Sequence, residues 1–329
     1  MLVELFKGVS PRVIFLNFTV MAAVWVSPFL IHRSYSFPDG AEPMPLYKLL
    51  SEVAGSPSWG IVMAVIMIVI ISWLLVNLNT SLVFLPERTL LPSVLFALFS
   101  GLFVQCQTLN PVLPAAIFLI AAFKRMMDAY RKNITAFCFF DSAILVGTGA
   151  LFYSGLLWFW ILLFAGVIIL RGYNLKEILL SLAGLAVPFT ITVGIYYVFS
   201  LNVGGLTDTF RHNLFSAHSV HDFNVLETAG LIASGISLLA GLCTLLPGIR
   251  NLKIKSRKIF ILLLWWLFIS LTLYIVSPAQ SEEMIYLTAI PVSFFSAYFF
   301  LKSLRNIISD IIFLLLILSV AAIQAVQYF

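Results

Sequence analysis

Charge is what this sequence has least of. Only 10% of its 329 residues are charged while 61% are hydrophobic, whereas a soluble domain carries about a quarter charged residues. With a mean hydropathy of +1.06, a soluble globular fold is excluded and a polytopic membrane protein remains. Nucleotide and peptidase signatures are missing too: there is no P-loop, dinucleotide fingerprint, nucleophile elbow or HExxH pair. An enzyme without them would have to take an already activated substrate from the membrane. Cys106, Cys138 and Cys243 lie inside apolar runs and read as packing residues, not as a disulfide or metal framework. No internal repeat or soluble domain interrupts the chain, so residues 1–329 read as a single integral membrane domain.

What is present is a series of apolar runs. About eleven are long enough to cross ~30 Å of hydrocarbon. They fall at 12–31, 59–79, 90–106, 111–124, 137–153, 155–170, 177–199, 228–247, 259–277, 284–302 and 307–328. The expected fold is all-α, a polytopic transmembrane bundle. Pro92, Pro114, Pro188 and Pro291 fall within these runs and predict kinks, which membrane helices tolerate. The first run lacks a small-residue cleavage site and is expected to be a retained helix.

The basic residues are sorted. With the amino terminus cytoplasmic, sixteen of the nineteen Lys and Arg residues fall on that side, leaving Arg33, Lys48 and Arg211 outside. The net charge of +5 is thus a topology signal and implies no nucleic-acid partner. All four histidines (His32, His212, His218 and His221) land outside, as do eight of the fourteen carboxylates. Chemistry is therefore expected on the outer face.

Three outer segments carry it. The first, 34–57, opens with turn chemistry at Pro38, Gly40, Pro43 and Pro45 and holds Asp39 and Glu42. It continues as an amphipathic helix, with Leu46, Leu49, Leu50 and Val53 on one face and Tyr47, Lys48, Ser51 and Glu52 on the other. Asp39 with Glu42 reads as a general base and a partner for a cation, or as two solvated loop acids. In the second, 200–227, Gly204 and Gly205 are expected to break the preceding helix. Thr207 would cap a short amphipathic one bearing Phe210, Leu214 and Phe215, from which Arg211 and His212 project. Arg211 presents a fork suited to phosphate oxygens, or simply snorkels to head groups. His218, His221 and Asp222 have a spacing compatible with a metal, or are free surface groups. The third segment is a tight turn placing Glu282 and Glu283 at the mouth of the run at 284–302, lining the same cavity or solvated.

The stretch FPDGAEPMPLYKLLSEV, an acidic first outer loop leading into a juxtamembrane helix, resembles the GT-C superfamily of membrane glycosyltransferases, with Asp39 in the place of the acid. SEEMIYLTAIPVSFFSAYFF is similar to the helix that in those enzymes leaves the lipid-phosphate site and runs into a proline-kinked span. The resemblance covers roughly residues 10–135 and 277–302 as layout. The acids here stand three residues apart, and the large outer domain of many members is absent. The whole chain is also similar to a family of bacterial polytopic membrane proteins, a likeness that implies a multi-pass protein of the bacterial inner membrane and no particular activity.

The GT-C resemblance implies a polyprenyl-phosphate-sugar donor and an acceptor that is a glycan, lipid or protein. Asp39 would be general base and Arg211 would hold the lipid phosphate, helped by His212 or by a divalent cation on Glu42. A lipid-linked polysaccharide polymerase or ligase would rest instead on Arg211, His212 and His218. A non-catalytic subunit or a transporter is the reading from another class, although few ionisable residues lie near mid-membrane.

Overall fold

In a computed structural model the chain is described over residues 3–6, 8, 10–31, 42–130, 136–215, 224–276, 282–303 and 306–326. Among the described residues there are fourteen α-helices. The first seven are α1 (Pro11–Val24), α2 (Ser27–Ile31), α3 (Pro45–Ala54), α4 (Pro57–Leu82), α5 (Leu91–Ser100), α6 (Val112–Met127) and α7 (Ala136–Ala150). The others are α8 (Trp160–Arg171), α9 (Leu175–Val198), α10 (Val203–Phe215), α11 (Val225–Leu245), α12 (Ile254–Val276), α13 (Ile285–Lys302) and α14 (Ile307–Val326). Eight helical segments are long and apolar enough to cross a membrane. The protein is an all-α, multi-pass membrane bundle.

Helices that are apolar all round belong in the middle, and two such helices form the axis. Every residue of α5 is buried, and α13 is 83% buried along its most apolar stretch. Phe294 of α13 lies 5.1 Å from Phe84 in the connection between α4 and α5, and Phe260 of α12 lies 5.4 Å from Phe84. By contrast α9 and α11 are each only 22% buried and turn their leucines and isoleucines to lipid. Where α9 does touch protein it comes very close. A Cβ on Gly184 would lie 2.4 Å from the Phe140 carbonyl, and one on Gly147 would lie 2.8 Å from that of Leu185. Small residues let the α7 and α9 backbones meet, as is usual between membrane helices.

Several sequence expectations change in detail. The first run is two helices, broken at Trp25 and Val26. The run at 90–106 is helical only to Ser100, followed by irregular chain and one 3-10 turn at Val104–Cys106. Pro92 and Pro114 make no kink, because they lie in opening turns whose N–H groups have no helical partner in any case. Pro188 and Pro291 do sit inside α9 and α13. Gly204 and Gly205 do not end α9 but open α10. The break comes earlier, at Ser200 in the left-handed region (φ 53°). There Leu201 N–H bonds the Tyr196 carbonyl (2.8 Å) and Ser200 N–H that of Tyr197 (3.2 Å), the paired bonds of a Schellman stop. The cap of α10 is Asn202, whose Oδ1 accepts from Gly205 N–H (3.0 Å). Thr207 instead bonds back to the Gly204 carbonyl (2.8 Å).

The bundle has two unlike ends. At one, basic side chains close the helices: Lys258 Nζ reaches the Leu170 carbonyl (3.2 Å), Lys302 Nζ that of Thr244 (3.3 Å), and Arg125 pairs with Asp141 (2.6 Å). At the other lie α3, α10, the end of α14 and the irregular chain after α5, tied together by hydrogen bonds. We call them the basic end and the polar end.

Candidate functional site

The polar end is built around a stretch that is not helical. Residues 101–111 follow α5 inside the protein, and all but Gln105 are buried. Irregular backbone at this depth persists only where protein groups satisfy it, and here they do. Gln324 Nε2 donates to the Gly101 carbonyl (3.1 Å), Tyr286 Oη to that of Cys106 (2.9 Å) and Tyr47 Oη to that of Leu109 (2.7 Å). Asn110 bonds the Cys106 carbonyl (2.9 Å) and accepts Leu113 N–H (3.1 Å), which starts α6. Gln107 donates to the Val24 carbonyl (3.1 Å), and the Ser27 hydroxyl lies between the amide oxygens of Gln107 and Gln324. Gly101 itself has no room for a side chain, since a Cβ would lie 2.4 Å from Val24 of α1. Hydropathy alone merges this segment with the apolar run before it. Its signal in the sequence is the cluster of Gln105, Gln107, Thr108 and Asn110 between Gly101 and Pro111.

Above this knot sits α3. Leu49 (58% exposed) and Val53 (73%) face out, as the apolar stripe of a helix lying at a membrane boundary does. From the opposite face of the pattern, Tyr47 (2%) packs inward, as does Ala54. The phenol can turn inward because its hydroxyl finds the Leu109 carbonyl. The first N–H groups of α3 also need acceptors, and Leu46 N–H takes the Leu151 carbonyl at the end of α7 (3.2 Å). Met44, Tyr47, Ala54 and Leu109 form a small apolar cluster that Phe210 of α10 adjoins.

The first and second polar-end segments meet directly. Glu42 N–H donates to Asn213 Oδ1 (3.1 Å), Asn213 Nδ2 donates back to the Glu42 carbonyl (2.7 Å), and Thr209 donates to the Glu42 carboxylate. Thr209 and Asn213 are one helical turn apart on α10, so a single face makes all three bonds. Asn213 in turn offers its carbonyl to Ser154 Oγ (3.3 Å). Arg211 and His212 lie on other faces of α10 and are exposed. Glu42 is therefore a clasp to α10, and it does not meet Arg211 through these bonds.

Glu283 is not a solvated turn acid. It is 4% exposed, in the 3-10 turn Glu282–Met284 that precedes α13. Its charge is felt at Tyr47: burial first, then Glu283, push the Tyr47 phenol well above its usual pKa. Tyr47 therefore stays a protonated donor. Asp39, His218 and His221, together with Asp222, lie outside the described residues. Glu282 is placed only by its backbone. Among the described residues no three His, Cys, Asp or Glu side chains are grouped to hold a metal ion.

Beside the knot an apolar cavity of about 270 Å³ lies between α11 and α12, floored by α5 and α13. Leu102, next to Gly101, and Ile285, next to the Glu283 turn, line it together with Leu231, Gly235, Tyr274 and Thr288. Tyr274 and Leu271 on its rim are each 40% exposed, so it opens sideways into the lipid-facing surface. It runs along α13 to Val292 as an apolar slot. Comparisons with protein-family models, curated proteins and solved structures find no match for this chain.

Proposed function

We propose that this chain is a membrane glycosyltransferase that moves a sugar from a polyprenyl-phosphate carrier to an acceptor at the polar end, the end facing away from the cytoplasm. The observation that carries the reading is the lateral slot, apolar along its length and ending at the residues that flank Glu283 and the buried knot. A lipid tail lying there would bring its phosphate to the membrane boundary. The clasp between Glu42 and α10 supports the same reading. It ties Glu42, three residues after Asp39 in sequence, to the helix containing Arg211.

In this mechanism Asp39 takes the proton from an acceptor hydroxyl, and the oxygen attacks the anomeric carbon with inversion. The bond from that carbon to the phosphate oxygen breaks, and its electron pair leaves with the polyprenyl phosphate. Arg211 offsets the charge that develops there. Glu42 holds the loop through Thr209 and Asn213 and takes no proton.

The test uses the full chain in lipid nanodiscs with labelled polyprenyl-phosphate sugars. Asp39→Asn should lower transfer by about 10²–10⁴-fold at an unchanged thermal midpoint; an active Asp39→Asn variant removes the base assignment. A Cβ on Gly235 meets nothing within 4 Å, so Gly235→Leu fills the slot without disturbing the fold. It should raise KM for long-chain donors and leave short-chain analogues unaffected. Equal KM changes for both, or no turnover of any donor by the wild type, would overturn the reading.

A further inference from the structure

A second cavity, of about 590 Å³, opens near the basic end between α4, α6 and α7. Its composition is unlike that of the apolar slot. Lys124, Arg125, Asp128 and Asp141 share it with apolar walls from Leu74, Ile144 and Leu145. Arg125 is held to Asp141 through Nε (3.0 Å) and Nη2 (2.6 Å), while its Nη1 lies 3.9 Å from Asp128. The guanidinium is thus fixed by Asp141 and turns its other edge to Asp128. Trp73, 62% exposed, stands on the rim, as tryptophans do at head-group level.

Among the described residues two cations and two carboxylates line the cavity, so an anion entering it would meet both acids. A zwitterion would satisfy both signs. We propose that this cavity seats the head group of a zwitterionic glycerophospholipid with a primary ammonium, the phosphoethanolamine type. Its phosphate lies against Lys124 and Nη1 of Arg125, which at 3.9 Å from Asp128 makes no hydrogen bond to it, its ammonium against Asp128, and its chains along Leu74, Ile144 and Leu145. Asp128 selects the primary amine because a carboxylate accepts N–H hydrogen bonds that a quaternary choline cannot offer. This site is independent of the transfer reaction.

The experiment is titration of the delipidated full chain with phosphatidylethanolamine, phosphatidylcholine and phosphatidylglycerol, bound lipid being counted by native mass spectrometry. Wild type should favour ethanolamine over choline by roughly three- to fivefold, the scale of one half-exposed charge contact. Asp128→Asn should bring the two to parity, and Asp128→Glu should restore the preference. Lys124→Gln should weaken both zwitterionic lipids alike. Parity in the wild type, tightest binding of phosphatidylglycerol, or a preference that survives Asp128→Asn would each overturn the proposal. Arg125 and Asp141 are left intact, so helix pairing is not at stake.

Discussion

The two ends of this bundle solve the same problem in opposite ways. Helices that stop in or near a membrane leave carbonyls without partners. At the basic end long cationic side chains reach back from the surface, Lys258 to Leu170 and Lys302 to Thr244. Such contacts stay half in water and suit a boundary. At the polar end the unpaired carbonyls of 101–111 are buried and are met by rigid amide and phenol groups from α3, α13 and α14. The first arrangement closes a helix. The second holds an irregular segment, a buried acid and two surface helices in one fixed relation, which is what a site requires.

The comparison can be broken most directly at Gln324. Gln324→Leu removes the donor to Gly101 and the partner of Ser27 and Gln107 together. Each buried polar group left unpaired costs about 1–3 kcal/mol, so this variant should lower the thermal midpoint more than the loss of any single bond at either end. A change no greater than that of a basic-end lysine variant would mean that the knot is not rigid.

Much of this architecture is legible in the residues. Apolar runs give an all-α multi-pass bundle, and α3 stands where turn residues and periodicity put it, whereas α10 starts at Val203, ahead of the expected cap at Thr207. Most of what stays hidden has one physical cause. In a membrane protein the apolar face of a helix is no guide to the inside, because lipid accepts it as well as a core does. Hence periodicity sets Tyr47 on the polar face of α3 with Lys48 and Glu52, whereas α3 buries it together with Ala54. Glu283 reads as a turn acid, whereas it is buried and its charge reaches Tyr47 of α3. The clasp of Glu42 with Thr209 and Asn213 joins positions about 170 apart in sequence, a pairing no local pattern announces. The end of α9 is hidden for another reason. A Gly pair is the commoner stop, but here Ser200 bears the left-handed turn at some cost.

Next in size is Tyr47→Phe. It leaves the Leu109 carbonyl unpaired, a loss of about 1–3 kcal/mol, and it carries a pH signature. The folded phenol titrates higher than the free one, so its stabilisation is complete below about pH 10 and fades as pH rises through the folded value. Thermal scans from neutral to alkaline pH should show wild-type stability dropping above that point, and a smaller drop in Tyr47→Phe. Glu283→Gln should lower the Tyr47 pKa, because the acid's charge is part of what raises it. Parallel pH curves for wild type and Tyr47→Phe would refute the assignment.

Smaller still is the clasp. Asn213→Ala removes two bonds to the Glu42 backbone, both only partly buried, so about 1 kcal/mol is expected. The sharper readout is local. Amide exchange in the segment around Glu42 should quicken by several-fold while α4 and α13 remain protected.

The smallest effect belongs to the basic end. Lys302→Gln removes one bond to the Thr244 carbonyl and a position 6.0 Å above the Tyr298 ring. The side chain is exposed, so water replaces both contacts at little cost, and about 0.5 kcal/mol is expected. Added salt should shrink even that difference, since the contact lies in solvent. The Gln324→Leu deficit should not change with salt, because its groups are sealed from water. Measuring both variants at low and high ionic strength separates a surface closure from a buried knot more cleanly than either midpoint alone. A Lys302→Gln deficit that is large and indifferent to salt would make the two ends alike.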